Sequence, residues 1–159
     1  MTTDVSHTEI INANGSKLKL GDFSGNVLLI VNVASYCGFT AQYDDLQKLH
    51  ELYSSKGLKI LAFPCNDFGN QEPDNLSEIK NFCTTKFGVE FEIYEKVHAK
   101  GDTTEPFTTL NKTDPSGDVE WNFEKFLVGK DSKVIARFKS SINPLDENLI
   151  AAIEVALDY

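Results

Sequence analysis

Three cysteines, Cys37, Cys65 and Cys83, are the residues of this 159-residue chain best equipped for chemistry. Only the thiolate is a strong nucleophile, so surroundings decide which of them reacts. Cys37 lies in Asn32-Val33-Ala34-Ser35-Tyr36-Cys37-Gly38-Phe39-Thr40, just after an apolar, β-branched run. A strand leading into a helix puts such a residue at the strand ends that α/β sheets present to ligands. Unpaired N–H groups at the start of the following helix stabilise an anion, so Cys37 is expected to ionise readily. Gly38 removes a side chain that would block a small oxidant. A dithiol motif would read Cys-x-x-Cys, but the fourth position is Thr40, which points to a single attacking thiol. Cys65 directly follows an apolar run and Pro64 and reads as a packing or loop residue. Cys83 stands four residues after Ile79, on or beside an apolar helical face, and taken alone reads as core.

The remaining composition narrows the classes. Fifteen Lys and Arg against 24 Asp and Glu give a formal net charge of -9, which disfavours nucleic acid or an anionic membrane surface as partner. No apolar run approaches the roughly 20 residues of a transmembrane helix. Met1 to Ile10 has neither the basic nor the apolar region of a signal peptide, and the cysteine count is odd. A disulfide framework is therefore not expected, and a cytoplasmic setting is. Three Cys with His50 or His98 would supply four zinc ligands, but no pair has Cys-x-x-Cys spacing. No metal and no cofactor are expected, because phosphate-loop, dinucleotide and Ser/His/Asp signatures are missing. His7, His50 and His98 read as surface or packing residues.

The elements that must position Cys37 follow from hydrophobic period and turn chemistry. Asn14-Gly15 between Glu9–Ala13 and Lys17–Leu20 predicts a hairpin with positive φ at both turn residues. The run Val27–Val33 predicts a central strand covered on both faces. Tyr43, Leu46, Leu49 and Tyr53 predict a helix, with Gly57 as its C-terminal cap. Leu58–Phe63 predicts a second buried strand, stopped by Pro64. Leu76, Ile79, Phe82 and Cys83 predict a second helix, capped by Asp74 or Asn75. Pro106 starts a short third helix through Phe107 and Leu110, ahead of a turn at Asp114–Gly117. Phe123–Val128 and Lys133–Phe138 predict an antiparallel pair. A final helix begins near Asn143-Pro144 and buries Leu145, Leu149, Ile153 and Ala156. With no linker or repeat, the chain reads as one domain over residues 1–159. A βαβ unit followed by ββα predicts an α/β, thioredoxin-like fold: a central mixed sheet with helices on both faces, plus an N-terminal β-hairpin.

Three segments carry a further likeness. Asn32–Thr40 resembles the peroxidatic-cysteine motif of the glutathione peroxidase family. The segment Leu61-Ala62-Phe63-Pro64-Cys65-Asn66-Asp67-Phe68-Gly69-Asn70-Gln71-Glu72-Pro73 resembles its second motif, and Val119–Leu127, which contains Trp121-Asn122, its third. They occur in the family's order, and the similarity extends over nearly the whole chain. Taken singly, Trp121 reads as core, Gln71 as a turn residue and Asn122 as a cap or turn former. The resemblance instead implies a catalytic tetrad of Cys37, Gln71, Trp121 and Asn122. Its chemistry is attack of a thiolate on a peroxide oxygen, with neutral N–H donors steadying the thiolate and the departing oxygen. Two departures accompany the match. Asp67 stands where the family more commonly has Gln, either adding negative charge near the site or pointing to solvent. Phe91-Glu92-Ile93 replaces Phe-Pro-Ile and reads as a surface detail. Many relatives carry selenocysteine at the attacking position, so Cys37 implies the slower sulfur version.

The resemblance also implies a thiol peroxidase of the thioredoxin-dependent, phospholipid-hydroperoxide-type branch. In it Cys83 matches the resolving cysteine, which forms a Cys37–Cys83 disulfide that thioredoxin or a similar dithiol protein reduces. If Cys83 is helical, its Cα is not within the ~7 Å that a disulfide needs, so the second helix must partly unwind. The absence of the family's tetramerisation insert between Gly117 and Trp121 implies a monomer with an open site, able to take organic and lipid hydroperoxides as well as hydrogen peroxide. A peroxide sensor passing oxidation to a client protein uses the same two thiols and is the alternative reading.

Overall fold

The computed structural model describes residues 2–158. Strands β1 (Glu9–Ile11) and β2 (Lys17–Lys19) form the hairpin, with Glu9 opposite Lys19 and Ile11 opposite Lys17. Its turn differs from the expected type. Gly15 has positive φ (+81°), but Asn14 does not. The Asn12 side chain instead accepts the N–H groups of Asn14 and Ser16, both at 3.0 Å. A side chain that satisfies two turn amides removes the need for a second left-handed residue.

The main sheet has the order β5-β4-β3-β6-β7 for β3 (Val27–Val33), β4 (Leu58–Pro64), β5 (Glu92–Ile93), β6 (Lys125–Val128) and β7 (Val134–Phe138). β4 runs parallel to both β3 and β5, β6 antiparallel to β3, and β7 antiparallel to β6. Every residue of β3 is buried, which explains its lack of apolar–polar alternation. Val27, Leu29, Val31 and Val33 face one core and Leu28 and Ile30 the other. The first core receives Tyr43, Leu46 and Leu49 of α1 (Gln42–Tyr53), Ile79 and Cys83 of α2 (Leu76–Phe87), and Leu149 and Ile153 of α4 (Glu147–Ala156). The second receives the hairpin's Ile10, Phe63, Tyr94, and Phe107 and Leu110 of α3 (Phe107–Leu110). Helices thus cover both faces, the second face carrying only the shortest of them. Among the described residues no helix is long and apolar enough to cross a membrane.

Three boundaries depart from expectation. Asp146 caps α4 through the N–H groups of Asn148 and Leu149, while Asn143 makes a separate turn by accepting the Leu145 N–H, so the helix starts later than Asn143-Pro144. Gly57 (φ +110°) closes a 3₁₀ turn, Ser54–Lys56, that prolongs α1. Phe91-Glu92-Ile93 is no surface detail. Phe91 and Ile93 are core residues around edge strand β5, and only Glu92 turns outward. Two residues are too few for a period to register, which is why this strand escaped the pattern reading. For α2, Asn75 is the cap, accepting the Glu78 N–H at 2.9 Å.

The segment that delivers Trp121 and Asn122 is held by a buried ion pair. Arg137 on β7 donates to Glu124, and its Nη1 reaches the carbonyls of Thr113, Pro115 and Gly117 at 2.9–3.2 Å. Its guanidinium lies 4.7 Å from the Phe126 ring centroid. Removing one partner of such a pair strands the other charge in the core, typically at a cost of about 3–5 kcal/mol. Arg137→Met is therefore expected to lower unfolding free energy by about 3 kcal/mol in a guanidinium titration. A loss under about 1 kcal/mol would mean that the pair behaves as a surface bridge.

Candidate active site

Cys37 is half-buried in a turn after β3. The helix does not begin beside it, as expected, but at Gln42, after consecutive turns in which Thr40 N–H bonds Cys37 O and Gln42 N–H bonds Phe39 O. The sulfur receives its backbone N–H from the turn itself: Phe39 N–H donates to Cys37 Sγ at 3.3 Å. Thr40 shapes this turn. Its hydroxyl accepts the Cys37 N–H and donates to Ala34 O, both at 2.9 Å. Thr40, read from sequence only as a missing second cysteine, is a structural clasp. An alanine Cβ at Gly38 would meet nothing within 4 Å, consistent with open approach beside the thiol.

Gln71 and Asn122 come from distant loops and meet directly, Asn122 Nδ2 donating to Gln71 Oε1 at 3.0 Å. This bond engages the Gln71 oxygen and leaves its Nε2 hydrogens free to donate elsewhere. Consecutive left-handed residues, Gly69 (φ +68°) and Asn70 (φ +54°), turn the chain into Gln71. A Cβ on Gly69 would sit 3.2 Å from the Trp121 ring and 3.4 Å from Gln71 Nε2, so both side chains crowd one bare backbone position. Trp121 is not core: it is 36% exposed, its ring packed edge-on against Phe68 at 5.8 Å. Phe39 and Trp121 line a common cleft of about 190 Å³. Gln71 O also accepts the Tyr36 N–H at 3.0 Å. The four residues of the expected tetrad therefore stand in one region, joined through Tyr36, Phe39 and the Gln71–Asn122 bond.

Asn32, in the first motif, has a role that its sequence position does not show. Fully buried in β3, it donates from side-chain Nδ2 to Trp121 O at 3.1 Å and accepts the Phe123 N–H at its backbone carbonyl, 2.6 Å. A lone amide inside a run of valines, leucines and isoleucines was the available signal. Asp67 neither crowds the thiol nor faces solvent. It accepts His98 Nδ1 at 2.8 Å and the Ala99 N–H at 2.7 Å, tying two loops together. Although burial opposes its charge, the His98 and Ala99 hydrogen bonds leave its carboxyl below the usual range.

The other cysteines are unpaired thiols in buried places. Cys65 packs in the second core, across the sheet from Cys37 and Cys83, so the three cannot share a ligand. Burial pushes its thiol up to about 12. Cys83 sits in intact helix α2 beside Tyr43, and burial pushes it up to about 11.

A family model described as glutathione peroxidase matches residues 5–112. A hydroperoxy fatty acid reductase of Synechocystis is 45% identical over 154 residues, spanning 91% of this chain and 90% of the relative. Glutathione peroxidase-like peroxiredoxin 2 of Saccharomyces cerevisiae is 41% identical, covering 94% and 96%. Thioredoxin/glutathione peroxidase BtuE of Escherichia coli is 38% identical, covering 99% of both. Among solved structures, Trgpx in apo form superposes with a TM-score of 0.79 at 32% identity, covering 99% of this chain and 97% of that one. A thiol:disulfide interchange protein of Chlorobium tepidum TLS, 13% identical with a TM-score of 0.73, covers 99% and 97% and shares the thioredoxin-like fold.

Native alkylation separates the thiols. With raised pKa values and buried sulfurs, Cys65 and Cys83 hold on the order of 10⁻³ or less of their population as thiolate at pH 8. Iodoacetamide is expected to label Cys37 alone at early times, read by peptide mapping. Equal early labelling of Cys83 would mean that α2 already stands open in the reduced protein.

Proposed function

This chain belongs to the glutathione peroxidase family and is a peroxide-reducing oxidoreductase; from that premise we propose that Cys37 is its attacking thiol and Cys83 its resolving thiol. The Cys37 thiolate attacks one peroxide oxygen. An S–O bond forms, the O–O bond breaks, and the departing alkoxide or hydroxide takes up a proton to leave as alcohol or water. Cys37 is left as a sulfenic acid. Gln71 Nε2, the Trp121 indole N–H and the Asn122 amide are the neutral donors for the thiolate and the developing oxyanion. The observation that carries the reading is the Asn122–Gln71 bond, which fixes the Gln71 amide with its donor side unused, one residue contact from the Cys37 turn.

In the second step the Cys83 thiol, having lost its proton to solvent, attacks the Cys37 sulfur. The disulfide forms, the S–O bond breaks and water leaves. A dithiol protein then reduces the disulfide by two exchanges. We take this donor to be thioredoxin, which also figures in the name of the Escherichia coli relative. Organic and lipid hydroperoxides are proposed substrates beside hydrogen peroxide. The cleft between Phe39 and Trp121 is open to the surface, Phe39 also bonds the Cys37 sulfur through its N–H, and the Synechocystis relative is named for a hydroperoxy fatty acid. A reducing compartment suits three unpaired thiols, and the cytoplasm is the setting proposed. A monomer is proposed on the short Gly117–Trp121 connection.

The deciding assay is NADPH-coupled peroxide reduction with either thioredoxin and its reductase or glutathione and its reductase. Turnover with thioredoxin, abolished in both Cys37→Ser and Cys83→Ser, is expected. Asn122→Ala is expected to slow Cys37 oxidation by about 10²–10³-fold, as for other lost oxyanion donors. Glutathione-supported activity that survives Cys83→Ser removes the resolving role, and no turnover with either donor sinks the peroxidase mechanism in favour of a relay.

A further inference from the structure

Glu72, the residue after Gln71, is fully buried, and neither carboxylate oxygen has a well-formed hydrogen bond, although Ser35 stands beside it with its hydroxyl and backbone N–H. It faces three elements at once: Ser35 of the Cys37 turn, Tyr43 of α1 and Cys83 of α2, with Tyr36, Asp74 and Lys96 near it. The hydroxyls of Ser35 and Tyr43 are themselves buried without a hydrogen-bond partner in proper geometry. Lys96, the nearby cation, directs its Nζ to the backbone carbonyls of Glu72 (2.8 Å) and Asp74 (3.0 Å), not to the carboxylate. This polar cluster joins the turn that carries Cys37, through Ser35, to the helix that carries Cys83.

The backbone of Glu72 is clamped. Its N–H bonds Asn66 Oδ1 at 2.8 Å and its carbonyl accepts Lys96, so the carboxylate cannot retreat from the core. Relief must come from a neighbour. The Cys37 turn is pinned by the Thr40 and Gln71 bonds, and α1 buries six of its twelve residues. Helix α2 buries only Ile79 and Cys83 of its twelve and is the weakest wall. Resting on the reading of Cys83 as resolving thiol, we propose that Glu72 is a positioning residue for the resolving step: its buried carboxylate loosens α2 and so frees Cys83 to reach oxidised Cys37.

The direction with pH follows. Burial, opposed by Ser35 and Lys96 and reinforced by Asp74, raises the packed-state carboxyl to about 7. With α2 open and the group hydrated, it returns toward its ordinary value of ~4.3. A raised pKa in the packed state means that packing of α2 is most secure below the open-state value. That security is lost as pH rises and is gone above about 7. In the packed state the same negative charge adds to burial in keeping Cys83 protonated and inert.

Hydrogen exchange on the reduced protein tests this without peroxide or donor. With intrinsic rates divided out, protection over 76–87 is expected to fall by roughly ten-fold or more between pH 5 and 7.5 and then level off, while that of 42–53 stays constant. In Glu72→Gln, protection at pH 7.5 should rise to the acid value and lose its pH dependence. Disulfide formation after one equivalent of peroxide should lose the same dependence. Glu72→Asp should retain a pH step. A flat wild-type profile over 76–87, or an unchanged step in Glu72→Gln, overturns the proposal. The wild-type profile alone decides it should Glu72→Gln not fold. Because this readout does not use turnover, its failure is distinct from loss of the resolving role, which Cys83→Ser reports.

Discussion

Asn32 is fully buried in the central strand, and an amide there costs free energy unless it is hydrogen-bonded. Its side-chain Nδ2 reaches Trp121 O and its backbone carbonyl takes the Phe123 N–H, so the loop after residue 119 has to lie against the end of β3. That places Asn122 where it meets Gln71, and Gln71 in turn holds Tyr36 beside Cys37. Three segments distant in sequence become one site through hydrogen bonds whose loss would leave buried polar groups unsatisfied.

The sheet does more than support this arrangement. Because β3 is buried on both faces, it divides the interior into two cores and gives each cysteine a different chemical setting. Cys65 is sealed on the side away from the site. Cys83 shares a core with Cys37 but sits in a helix, its thiol held up by burial. Cys37 alone combines partial exposure with a backbone N–H on its sulfur. On the proposed mechanism, layer and turn geometry separate the attacking thiol from the other two.

On the proposed mechanism, packing around the second helix is a compromise between two states. A tightly sealed α2 would protect Cys83 and keep it from Cys37; a loose one would expose apolar surface. Two buried side chains on α2, and a carboxyl without a well-formed hydrogen bond against it, make that balance easy to shift. Low local stability of this kind is expected where an element has to move in a reaction cycle. By contrast, the Arg137–Glu124 pair and the Asp67 clasp fix loops that must stay still.

The strands Val27–Val33 and Leu58–Phe63, the helices after them and a cap at Asp74 or Asn75 were legible in the sequence, because runs, periods and caps are local properties; the structure carries the second strand on to Pro64 and selects Asn75. So was the singling out of Cys37, from a cysteine after a buried strand and a glycine beside it. Gln71, Trp121 and Asn122 stood out only through resemblance, since each taken singly reads as turn or core. What the tertiary structure decided was everything that depends on segments meeting. Edge strand β5 exists because β4 offers it a partner, and Thr40 acts as a clasp because Ala34 O lies within reach. Asp67 turns to His98, Trp121 stays partly exposed, and Glu72 is buried against Ser35, Tyr43 and Cys83. Periodicity fixes which face a residue occupies; only the packed chain fixes which groups that face meets, and the chemistry of a buried carboxyl or thiol is set by those neighbours.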